Sequence, residues 1–204
     1  VSRPFPWRML AAFLSLTLPI PGAQAYEAQH GALTVSYADP RDRQHLGVVF
    51  VAWDRAARDL RALGLPPPAR VRLEAAGNAA DFAARTGEPV NIAASTRGAV
   101  IRTQRLSALS ARGLLPTTVR HEAFHTAQSA RIPRWLAEGL ARTFSGEGQA
   151  DPRTSTGLES ARANRLDAEL LNRDAAQLSA AYREATVRAA RLVRARGWKG
   201  ALRW

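Results

Sequence analysis

One pentapeptide constrains this chain more than any other feature: His121-Glu122-Ala123-Phe124-His125, an H-E-x-x-H arrangement. On a helix, residues four apart lie one turn apart on the same face, so His121 and His125 can aim both imidazoles at one ion. Glu122 sits about 100° round the helix from His121, within reach of the reaction zone without ligating the ion itself. That division suits hydrolysis at zinc, where protein side chains hold the metal and a separate carboxylate moves the proton.

Zinc needs a third protein ligand, and the chain after His125 suggests one. Pro133 suits the start of a new helix, because its missing N–H would have no intrahelical partner there. The first helix is therefore expected to end near Ala130 and the next to begin near Pro133. Glu138 follows that corner by about as many residues as His125 precedes it, roughly 9 Å along each axis. An antiparallel return would bring Glu138 level with the histidines, held by the apolar stripe Trp135, Leu136, Leu140 and Phe144. The other zinc layout needs Gly three and His six residues after the second histidine, but Gln128 and Arg131 stand there. A carboxylate ligand is expected instead, with Glu138 first and Glu147 in reserve because no apolar stripe anchors Glu147.

HEAFH followed by IPRWLAEGLARTF (132–144) resembles the peptidase MA-like domain, a branch of the gluzincin, or thermolysin-like, zinc metallopeptidases. The motif core covers about thirty residues, and a looser likeness of element order runs from Leu33 to the C-terminus. The resemblance implies one Zn2+ per chain held by His121, His125 and Glu138, with Glu122 as general acid/base. It also implies that Tyr182, in an Ala181-Tyr182 pair opening a downstream helix, stabilises the oxyanion. The other reading of Tyr182 is a core side chain with its hydroxyl at the rim. Relatives usually carry an acidic residue four positions after the ligand glutamate; Arg142 stands there instead. That departure supports an alternative function, a catalytically weak relative binding peptide or envelope polymer.

Residues 1–25 read as a secretory leader. Arg3 and Arg8 form a basic start, Met9 to Ile20 an apolar run, and Ala23-Gln24-Ala25 an A-x-A cleavage site. The run falls short of the ~20 apolar residues that a membrane span needs. The expected product is a bacterial protein, periplasmic or secreted, with residues 26–204 as a single domain and no membrane span after cleavage. Cysteine is absent, which excludes disulfides, thiolate metal sites and cysteine nucleophiles.

The net charge of +12 is carried almost wholly by arginine, since Lys199 is the single lysine. Along 54–61 the arginines alternate with aspartates, as on an ordinary solvated helix face. No interleaving of basic and aromatic residues marks a single-strand binder, so no nucleic-acid partner is expected. The partner expected is a peptide or protein substrate, with cell-envelope material as one source.

The remaining pattern predicts an α+β fold. Leu33, Val35 and Tyr37 alternate as a strand, and Arg41 to Leu63 has helical spacing. Val71, Leu73 and Ala75 form a second strand, and Asn78 caps a short helix closed by Gly87. Val90–Ala93 and Gly98–Thr103 read as two further strands that turn near Ser95–Gly98. A helix follows Asp174, which with Gln177 has capping-box spacing. The polar stretch from Ser145 to Gly157 reads as a plain connector, with a border of the cleft as the other reading. His30 and His45 lack partners at ligand spacing and are expected at the surface.

In full, the expectation is a small mixed or antiparallel N-terminal sheet with a helix packed on it, then a zincin-type helix pair, then C-terminal helices. If the resemblance extends to the sheet, Ala99–Thr103 is either the edge strand that pairs with substrate or an interior strand.

Overall fold

The computed structural model describes residues 25–129 and 131–203. All of the expected leader except Ala25 lies outside them. The fold is α+β, with a five-stranded sheet in the first half and helices dominating the second. The strands are β1 (Tyr26–His30), β2 (Leu33–Tyr37), β3 (Val71–Ala75), β4 (Ala94–Arg97) and β5 (Val100–Thr103), in the order β1-β2-β3-β5-β4. β2, β3 and β5 run parallel, and an antiparallel strand closes each edge.

The alternation seen in the sequence makes this sheet one-faced. Leu33, Val35, Val71, Leu73 and Ile101 are buried on one side. The other side carries a charge ladder in which Arg72 reaches Glu27 at 3.1 Å and Arg102 reaches Glu74 at 3.1 Å. Exposed pairs of this kind stabilise by about 0–1 kcal/mol each. Their role is to keep that face in water.

Both edges end in two-residue hairpins, and a glycine with positive φ makes each possible. Gly98 (φ 60) sits between the paired residues Arg97 and Val100, as Gly31 (φ 56) does between His30 and Leu33. Glycine adopts that region at no steric cost, which suits the first central position of a type II′ turn. The hairpin thus turns at Gly98-Ala99, later than expected, and the two strand assignments shift. Val90–Ala93 is not a strand. The Gln104 side chain instead satisfies its carbonyls, donating to Val90 O and Ile92 O at 2.6 Å each. Ala99–Thr103 is not the edge either: β5 is interior, and β4 is the outer strand.

The long helix of the first half, α1 (Leu46–Ala62), follows a 3-10 turn at Pro40–His45. It buries Val49, Trp53, Ala56 and Leu60. α2 (Ala79–Thr86) runs between the expected signals, with Asn78 Oδ1 accepting from Asp81 N at 2.9 Å and Gly87 in the left-handed conformation. After the short α3 (Leu106–Ala111) come α4 (Leu115–Ala127) and α5 (Arg134–Ser145), then α6 (Ala163–Glu169) and α7 (Ala175–Ala201), which breaks its dihedrals at Gly197. One hydrophobic cluster runs from the buried sheet face through α1, α4 and α5 to Ala189 of α7. No described helix is long and apolar enough to cross a membrane.

Two features seat α5, and both matter for Glu138. Its N-terminus follows Pro133, and the first-turn donor at Trp135 N is satisfied by Asp167 Oδ1 of α6 at 2.6 Å. Its flank meets α7 at Gly139. A methyl group there would drive into the Ala185 carbonyl and lie 2.8 Å from Ala189 Cβ. Only glycine permits an approach this close.

Candidate metal centre

α4 carries His121, Glu122 and His125 on the side that faces β4 and α5, where His121 and Glu122 are buried. α5 returns along α4 and brings Glu138 to the same point. His121 Nε2 lies 2.9 Å from His125 Nε2 and 3.3 Å from Glu138 Oε2; His125 Nε2 lies 3.5 Å from Glu138 Oε2. Ligands on a tetrahedral zinc ion, at Zn–N distances near 2.0–2.1 Å, stand roughly 3.3 Å apart. The three atoms therefore converge on one point at the spacing of a shared ion, and these three residues form the described cluster able to hold a metal. The donor set, two imidazoles and one carboxylate, suits zinc among other divalent ions.

The electrostatics follow from burial and crowding. Burial opposes charge on His121, but Glu147, Glu138 and Glu122 around it outweigh that and raise its pKa well above the usual histidine value. Burial likewise opposes charge on Glu138, and His125 and His121 overcome it, holding Glu138 well below the carboxylate range. Glu122 differs. Burial dominates, and its pKa is raised despite the two histidines. Its Oε2 accepts a hydrogen bond from Thr96 Oγ1 of β4 at 2.6 Å, which fixes the carboxylate against the edge strand.

Tyr182 comes from α7 and lines the same cleft, of about 520 Å³, together with His121, Glu122 and Glu138. Burial, reinforced by Glu138, pushes its phenol pKa up, so the hydroxyl stays protonated and able to donate. A second cavity of about 330 Å³ shares His121, Glu122 and Tyr182 with the first.

Glu147 enters from the 3-10 turn Glu147–Ala150 that follows α5, and its Oε1 lies 3.1 Å from His121 Nδ1. The expected reserve carboxylate thus meets the nitrogen that faces away from the convergence point. Arg142 points into the junction of α5, this turn and α7. It donates to Asp151 Oδ1 at 2.6 Å and to Thr186 Oγ1 at 2.9 Å, and reaches Glu147 Oε2 at 3.5 Å.

The sequence reading missed Thr96 and the contact of Glu147. The hydroxyl had no motif to mark it, but Glu147 follows Gly146, a helix-ending signal that could have placed it at the end of α5. His30 lies apart from this centre, paired with Asp54 at 2.8 Å and stacked on Phe50. No family model, curated protein or solved structure matches the chain, so the reading of the centre rests on its own geometry.

Proposed function

We propose that the chain is an exported zinc-dependent metallopeptidase, with His121, His125 and Glu138 holding one Zn2+. The observation that carries this reading is the convergence of His121 Nε2, His125 Nε2 and Glu138 Oε2 at 2.9, 3.3 and 3.5 Å. An ion held there supplies Lewis acidity, polarising a carbonyl and making water more acidic.

The chain's own residues then supply the rest. Glu122, with its basicity raised by burial, takes the proton of the attacking water at a carboxylate oxygen and returns it to the departing amine. The Thr96 hydroxyl holds that carboxylate in place. Tyr182 keeps its proton and donates a hydrogen bond to the oxygen on which negative charge develops. β4 is the outer strand of the described sheet and its residues line the cleft, where an extended peptide can add as a further strand. The substrate class is therefore peptide or protein, with envelope material as one source.

The alternative of a weak, merely binding relative rests on Arg142 in place of an acidic residue; Glu147 Oε1, 3.1 Å from His121 Nδ1, offers a carboxylate partner from another position. The test is metal analysis of the purified protein combined with cleavage-site profiling. About one zinc per chain, with cleavage abolished by chelation and restored by zinc, is expected. Zinc-free protein, or cleavage indifferent to chelator, overturns the proposal.

A further inference from the structure

Both nitrogens of His121 have a partner. Nε2 faces His125 and Glu138, while Nδ1 faces Glu147 Oε1 at 3.1 Å. A ring whose Nδ1–H donates to a carboxylate keeps its lone pair on Nε2, the nitrogen that points at the convergence point.

The turn that delivers Glu147 is shaped for this contact at three places. Gly146 closes α5 at φ 90, in the left-handed region where a side chain would strain the backbone. Gly148 lies so close to α7 that a methyl group there would be 2.5 Å from Thr186 Cγ2. Between them, Glu147 is turned back toward α4. Arg142 then ties the turn down through Asp151, Thr186 and Glu147, with its guanidinium carbon 5.6 Å from the centre of the Tyr182 ring.

We propose that Glu147 is the positioning residue of the centre, fixing the tautomer and orientation of His121, and that Arg142 fixes Glu147 against α7. Ser145–Asp151 is on this view a built wall of the site rather than the connector its composition suggests. The inference rests on the zinc-site reading above.

The experiment measures zinc affinity by competition with a chromogenic chelator for wild type, Glu147→Gln, Glu147→Ala and Arg142→Met. Removing a carboxylate that orients a metal-bound histidine weakens affinity by about 10–100-fold. The expected ranking is wild type, then Glu147→Gln, which keeps an acceptor oxygen, then Glu147→Ala, with Arg142→Met also weakened. The visible absorption of the cobalt-substituted protein should shift in Glu147→Ala, a ligand-field change that a remote structural defect would not produce. Wild-type affinity and an unshifted cobalt spectrum in Glu147→Ala overturn this inference alone. Failure of the wild type to bind zinc overturns the zinc-site reading and this inference with it. If Glu147→Ala does not fold, wild-type affinity in Glu147→Gln and Arg142→Met together counts as overturning it.

Discussion

α1 and α4 lie side by side and do opposite things with burial. α1 has one buried stripe, and every buried residue in it is apolar: Leu46, Val49, Ala52, Trp53, Ala56, Ala57 and Leu60. α4 is buried on two adjoining stripes. Leu115, Val119 and Ala123 join the core, while Thr118, His121 and Glu122 face the cleft side. The first helix gains stability from burial throughout. The second spends part of that gain on ionisable groups held out of water, which stay only because partners surround them. The comparison separates a helix with a purely apolar buried face from one that carries two of the three candidate metal ligands, in a single packed pair.

The sharpest way to break that contrast is Glu122→Gln. On the proposed reading, peptide hydrolysis falls by roughly 10²–10⁴-fold while zinc content is unchanged. Stability should move the other way. Burial raises the folded-state pKa of Glu122 above its unfolded value. A group so raised contributes stability below the unfolded pKa and loses it as pH rises through the folded one. At neutral pH the ionised carboxylate is therefore a cost that glutamine does not carry. Calorimetry of the metal-free proteins should show the variant melting higher than wild type at pH 7, with the gap narrowing as pH falls. A variant that melts lower, or that loses zinc in step with activity, would make Glu122 a structural residue.

The reciprocal change is Leu60→Ala on α1. Leu60 is fully buried, and truncation should cost about 2–5 kcal/mol by urea unfolding. Zinc stoichiometry of the folded fraction should stay at the wild-type level, because α1 contributes nothing to the proposed ligand set. Smallest of all is Val51→Ser on the outer face of α1, where the side chain is 70% exposed. Its effect on the same unfolding curve should stay within about 0.5 kcal/mol. A larger loss would mean that the outer face of α1 is covered in solution.

Much of this pair was legible in the sequence, because spacing on a helix fixes direction. The four-residue step from His121 to His125, and the return after Pro133, required only helix geometry to bring Glu138 into range. β2, β3 and α2 were equally legible from alternation and from Asn78 and Gly87 as stop signals. The edge was not. β4 carries Ala94, Ser95, Thr96 and Arg97, too polar to stand out beside the apolar Val90 and Ile92, and it is a strand because Gly98 sets the hairpin register. β1 was missed for a related reason, since most of its residues are exposed and it shows no buried alternation. α3 and α6 are too short to display a period. The Asp174–Gln177 box is half made: Asp174 caps the α7 N-terminus, while the Gln177 side chain accepts from Asn172 instead. Glu147 lay in a stretch whose glycines read as punctuation, when tertiary contact with Thr186 is what requires one of them.

The glycine beside Glu138 carries a consequence for how this scaffold can vary. Ala185 and Ala189 touch Gly139 with no slack, so the distance between the two helices is set by bare backbone at the residue next to Glu138. Any bulk added there would act as a shim, lifting the helix that carries Tyr182 away from the one that carries Glu138. At this crossing the separation of Glu138 from Tyr182 follows directly from how closely two backbones can meet.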